Sequence, residues 1–223
     1  MKMHATRRSD ASASRERILA AGADLFSEKG YVGAGIDLLA ARSGIAKTAI
    51  YYHFGNKEGL VAAVLERAAT TWIETVRAAS QQAGTPMERL DQALAGMRTM
   101  IEEKPWIMKL LQVLALEVAN DKPEVRATLQ TIIRRAREAI VEGMRDALGV
   151  ELPDANLVAS MVLALLDGIS LGRSLVPEEV SLDAAFAEVR RLMIFMVAAR
   201  LNPALAALVE TVPTAGIFQS PTK

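Results

Sequence analysis

The chain has 223 residues, the length of one or two domains. With no Cys and only two His, His4 and His53, it cannot build a disulfide scaffold, a thiolate nucleophile or a Cys-ligated metal site, and a multi-His metal centre is not expected. Lys+Arg and Asp+Glu both total 26, while 51% of the residues are hydrophobic and the mean hydropathy is +0.20; that apolar surplus must enter a core, a pocket or a partner interface.

The longest apolar stretch, 157–166, is stopped by Asp167 and is too short for a bilayer span of ~20 residues. The N-terminus is polar and basic, unlike a secretory signal. A cytoplasmic protein without a membrane partner is expected. The zero net charge is a cancellation: residues 1–60 carry nine Lys/Arg against six Asp/Glu, and the rest is acidic to the same extent. Such asymmetry hints at a nucleic-acid-facing end.

The periodicity is helical nearly throughout, with no alternating runs bounded by turns. Residues 1–13 read as a flexible basic arm. A first helix follows, with Ser14 as its N-cap and Ile18, Gly22, Leu25 and Phe26 on one face; Lys29-Gly30 ends it in an αL cap. Short helices are expected over 36–43 and 47–54, separated by Gly44. Asn56 caps a long linking helix, 57–82, about 39 Å at 1.5 Å per residue. Breaks at Gly84, Pro105, Pro123, Gly149 and Pro177 then delimit helices over about 86–103, 105–119, 123–148, 154–175 and 181–201. The stretch 211–223 reads as a loose tail.

The two short helices around Gly44 form a helix-turn-helix candidate. Ala40, Ile45 and Ile50 are small or apolar where the helices must touch. The second helix projects Lys47, Thr48, Ala49, Tyr51, Tyr52 and His53 outward or along its flanks. Lysine pairs with phosphate or guanine, rings and methyl groups touch thymine methyls, and hydroxyls reach phosphates. The bland alternative, an aromatic core patch, suits Phe54 and part of Tyr51.

Residues 14–60 resemble the TetR family of transcriptional regulators. The resemblance rests on F-x-x-x-G-Y at 26–31, A-x-x-S-G-I at 40–45, and I-Y-Y-H-F-x-N-K-E-x-L at 50–60. It implies an all-α fold, in which an N-terminal three-helix DNA-binding domain (14–60) is joined by the long helix to a helical effector-binding and dimerisation domain (61–210). It implies that Lys47, Thr48, Ala49 and Tyr51 face bases, that Tyr52 and His53 hold phosphates, and that Lys57 clamps a phosphate at a helix start. Gly35 stands where the family often has Thr or Ser, and still offers its amide. Ala46 replaces the usual Ser cap of the recognition helix, a loss of about 1 kcal/mol of local stability. Asp37 approaches the DNA side and would repel phosphate.

In the body, Leu182, Phe186, Val189, Met193 and Met196 follow heptad-like spacing. Val158, Met161, Val162, Leu165 and Ile169 belong to a helix apolar almost all round. Together they read as a homodimer seam in a four-helix bundle, the arrangement the family also uses. Trp72, Met97, Met100, Trp106, Met108, Leu111, Leu114 and Met144, with Glu117 as a polar member, suit an adaptable pocket for a small hydrophobic effector. Taken singly, each is as well explained by packing, and Glu117 by a surface position.

No catalytic constellation, metal-ligand cluster or cofactor motif stands out. The expectation is a non-enzymatic, ligand-responsive repressor that binds double-stranded operator DNA as a homodimer. The alternative is a helical small-molecule-binding or scaffolding protein that has lost DNA binding.

Overall fold

The computed structural model describes residues 2–202, 204, 205 and 207; the side chains of residues 1–10 and of Ser80 fall outside the description. The expected loose tail, 211–223, lies outside the described residues, as do the side chains of residues 1–10 of the expected basic arm. Nine α-helices and no strand occur among the described residues. They are α1 (Lys2–Gly33), α2 (Ile36–Ser43), α3 (Lys47–Phe54), α4 (Lys57–Ser80), α5 (Pro86–Glu103), α6 (Pro105–Val113), α7 (Pro123–Leu148), α8 (Ala155–Leu175) and α9 (Leu182–Leu201).

Most boundaries follow local chemistry. Asn56 caps α4 by accepting from the Gly59 amide at 2.7 Å. Thr85 and Glu88 form a reciprocal capping box at α5, with Pro86 in its first turn. Gly44 and Gly149 close α2 and α7 in the left-handed region.

Three expectations change. The first helix starts at Lys2, so Ser14 lies inside it and is not its cap; residues 2–21 contain neither Gly nor Pro to stop a helix. Gly30 breaks the helix, but at φ 66°, ψ −172°, an extended conformation open essentially to glycine alone and not an αL cap.

The expected helix over 105–119 becomes α6 followed by a π turn, Leu114–Val118, closed by the Ala119 amide on the Leu114 carbonyl at 2.8 Å. The wide turn has a packing cause. Leu110, Leu114 and Ala119 all enter one core, and a spacing of five from Leu114 to Ala119 stays on one face only if a residue is added to the turn.

Two cores result. The first joins α1, α2, α3 and the start of α4, and continues into Ile107, Leu110 and Leu114 and into Val125, Leu129 and Ile132 of α7. The second gathers the end of α4 with α5, α7, α8 and α9 around Leu94, Met97, Ile140, Val162 and Phe186. Helix α4 is common to both and packs most extensively on α7 and α5. The N-terminal head is therefore built directly onto the body through α4, α6 and α7.

The seam expectation is corrected by this packing. Val158, Val162, Leu182, Phe186, Val189 and Met193 are buried in the protomer's own second core, and Leu165, Ile169 and Met196 pack against it. They fill one molecule and do not form an outward face. Of the expected seam, Met161 alone is well exposed. A different stripe of α8 is uncovered: Leu157, Met161, Ala164, Gly168, Leu171 and Leu175. Its 4-3-4-3-4 spacing is itself a heptad seam. Leu192 and Phe195 of α9, 43% and 49% exposed, are uncovered as well. By length and composition α8 could also cross a membrane. Its opposite face is taken up by the second core.

Candidate nucleic-acid interface

Helices α2 and α3 meet across Ser43-Gly44-Ile45. Gly44 takes φ 65°, ψ 25°, and its amide bonds the Ala40 carbonyl at 3.0 Å. The buried Ser43 hydroxyl donates to the Leu39 carbonyl at 2.8 Å and accepts from the Ile45 amide at 3.3 Å. Arg17 of α1 donates to the Ser43 carbonyl at 2.7 Å. Leu39 and Ile50, each 1% exposed, lock the pair onto α1. The turn angle is thus held by apolar burial below and by four hydrogen bonds above.

That anchoring decides which residues of α3 face out. With Ile50 inward, Lys47, Thr48, Tyr51 and Tyr52 are exposed, and Ala49 and His53 are partly so. Tyr52 is 85% exposed and meets His53 edge-on at 5.5 Å between ring centroids. Phe54 turns inward, packed against the core with the Arg15 guanidinium 5.4 Å over its ring. As expected from the sequence, Ala46 caps α3 without a side-chain bond, and so does Gly35 for α2.

The start of α4 adds a second cluster. The Lys57 ammonium sits 4.5 Å from the Tyr31 ring centroid. The Tyr31 hydroxyl donates to Glu58 at 3.2 Å. Burial pulls Lys57 below the ordinary lysine range. Burial first, then the Glu58 charge, pushes the Tyr31 phenol up. The Lys57 side chain is thus held against a ring.

The structure adds contacts that sequence reading missed. Asp37 forms an ion pair with Lys47. Arg42 holds Glu28 in a fork at 2.7 and 2.8 Å, tying α2 to α1 and lowering the Glu28 carboxyl below its usual range. Asp37 and Lys47 stand ten positions apart, a spacing that predicts nothing until the turn angle is known.

The expected effector residues divide between two cavities. Met97 and Met144 line an apolar cavity of about 230 Å³ among α4, α5, α7 and α9. Trp72, Met100 and Trp106 line a separate, open cleft of about 740 Å³ among α1, α4, α5 and α6. Met108 is buried and Leu111 half-buried, and neither borders these cavities. Leu114 is buried in the first core. Glu117 is exposed on the π turn, outside both cavities. No group of three or more His, Asp or Glu able to hold a metal occurs among the described residues.

Residues 18–64 match the family described as "Bacterial regulatory proteins, tetR family". The chain is 27% identical over 154 residues to the HTH-type transcriptional activator FasR of Mycolicibacterium smegmatis, covering 68% of each chain. It is 27% identical over 193 residues to the HTH-type transcriptional regulator UidR of Escherichia coli K12, covering 83% of this chain and 93% of that one. Its fold is similar to that of the transcriptional regulator FadR from Bacillus subtilis, solved in complex with stearoyl-CoA. The TM-score is 0.60 at 20% identity, over 80% of this chain and 96% of that one.

Proposed function

The chain belongs to the TetR family of bacterial transcriptional regulators, and we propose that it is a cytoplasmic repressor released from operator DNA by a small apolar or amphipathic effector. The observation that carries the DNA half is the outward face of α3. Lys47, Thr48, Tyr51 and Tyr52 are exposed on a helix whose opposite side is pinned by Ile50. Such a face suits direct readout in a major groove, with Lys57, the Gly35 amide and His53 toward phosphates.

A homodimer is the proposed working unit. Two recognition helices must sit roughly 34–36 Å apart to enter successive major grooves. The uncovered stripe from Leu157 to Leu175, with Leu192 and Phe195 beside it, is the surface we assign to that contact. Two copies of α8 and α9 would then form a four-helix bundle.

The effector is assigned to the apolar cavity lined by Met97, Met144, Leu94 and Met193. An unbranched acyl chain suits such a wall, and the stearoyl-CoA held by the FadR of similar fold supports that class. Arg89 borders the cavity and donates to the Gly84 and Asp146 carbonyls, so it could meet a polar head group there. Release would be a population shift, the effector favouring the state in which α4 spaces the two heads wrongly for DNA. The first core supports such coupling because it runs from α3 through α4 into α6 and α7.

The experiment is retention of an operator fragment, selected in vitro, by Tyr51→Ala and Lys57→Ala variants. Both should lose retention while keeping their helical spectrum, and wild-type binding should weaken steeply with salt. Unchanged DNA affinity in both variants overturns the site. The Asp37–Lys47 pair favours the second reading, a binding protein without DNA affinity; absence of selectable DNA by the wild type would establish it.

A further inference from the structure

Lys57 is fixed from two directions, through its backbone and through its side chain. Its backbone belongs to the first turn of α4, which rests directly on the end of α3. A Cβ at Gly59 would stand 2.3 Å from the Phe54 carbonyl oxygen. Glycine permits that approach, and the obstacle is main chain that cannot swing aside. Asn56 adds its side-chain cap on the Gly59 amide. The start of α4 is therefore tied to the recognition helix.

The side chain is fixed from α1. Gly30 turns the chain at φ 66°, ψ −172°, and nothing lies within 4 Å of where its Cβ would stand. Glycine is needed there for its backbone angles and not for room. The next residue, Tyr31, is half-buried and packs against the first core. Its hydroxyl is spent on Glu58, and its ring face is left to the Lys57 ammonium, 4.5 Å from the centroid. Lys47 is paired with a carboxylate, whereas no carboxylate is ion-paired with Lys57 among the described residues. The difference matters for an anion. A carboxylate cancels the charge it holds, while a ring restrains a cation and leaves its charge in place. A lysine already restrained also loses less rotamer freedom when it binds.

We propose that Tyr31 is a positioning residue for DNA binding: its ring holds the Lys57 ammonium, uncancelled by a carboxylate, ready for a backbone phosphate beside the recognition helix. The role rests on the DNA reading given above and adds to it a residue that acts through Lys57.

Two measurements on the full chain test it. The first needs no DNA. By NMR, the ε-methylene protons of Lys57, assigned by their loss in Lys57→Ala, should be shifted upfield by the ring in the wild type and in Tyr31→Phe. The shift should vanish in Tyr31→Leu and in Tyr31→Met, which fill the space without a ring. The second is fluorescence anisotropy on an operator fragment selected in vitro, at low salt, where weak complexes stay measurable. Either ringless variant should weaken binding roughly three- to fivefold, and Tyr31→Phe should stay within about twofold of the wild type. In a Lys57→Ala background the same ringless substitution should cost nothing further, whereas a merely structural role would weaken binding equally in both backgrounds. No upfield shift in the wild type, a shift that survives in the ringless variants, or an equal loss in both backgrounds would each overturn the role. A wild type that shows the shift but binds no selected DNA would overturn the DNA reading, and this role with it.

Discussion

Asp37 of α2 is ion-paired with Lys47, the first residue of the recognition helix. Both side chains are exposed, so the pair is weak in solution and easily exchanged for a phosphate or a guanine. It keeps a carboxylate beside the cation that the proposed function assigns to the groove, and on that reading DNA must displace or tolerate it. Asp37→Ala should therefore tighten operator binding by roughly two- to fivefold, read as fluorescence anisotropy at low salt. Weaker binding would mean instead that Asp37 orients Lys47 for its base.

The turn offers a sharper stability test. Ser43 is buried, and its hydroxyl serves both the Leu39 carbonyl and the Ile45 amide. Ser43→Ala leaves that amide without its partner, at a cost of about 1–2 kcal/mol. Chemical denaturation should show the loss, and Ser43→Thr should recover part of it. An unchanged midpoint in Ser43→Ala would remove the hydroxyl from the account of the turn.

Much of this molecule was legible because its punctuation is local. Gly44, Asn56, Thr85-Pro86 and Gly149 each end or start a helix by chemistry within four residues. The outward face of α3 was legible once Ile50 was placed inward. The π turn was not, because LALEV continues an acceptable α-helical pattern; only the requirement that Leu114 and Ala119 share one core demands the extra residue. The seam was misread for a related reason. A helix apolar nearly all round, such as α8, does not say which of its stripes faces its own chain. The answer depends on where α4, α5, α7 and α9 stand.

That distinction separates two kinds of variant. Met161→Glu and Phe195→Glu place charge on the uncovered stripe and should convert a dimer to a folded monomer, seen as a halved mass in sedimentation. Phe186→Ala, inside the second core, should cost about 3–5 kcal/mol and lower the melting temperature sharply. If Met161→Glu and Phe195→Glu both leave the mass unchanged, the stripe is not the dimer contact.

Asp167 supplies a pH test. It lies partly buried on α8, which runs unbroken through it and Gly168, and its Oδ1 is buried without a hydrogen-bond partner. Burial pushes its carboxyl above the ordinary aspartate range. For an acid raised in the folded state, the folded form prefers the proton. The charged form therefore weakens the fold progressively as pH rises through the raised value, and below the unfolded value the penalty is absent. Asp167→Asn keeps the shape and removes the charge. At fixed protein concentration it should raise the melting temperature at neutral pH, and the advantage should shrink as pH falls toward the ordinary carboxylate range. A gain that is independent of pH would trace the effect to packing or to hydrogen bonding by the amide. A loss at neutral pH would mean that the ionised carboxylate has a stabilising partner beyond the described residues of this chain.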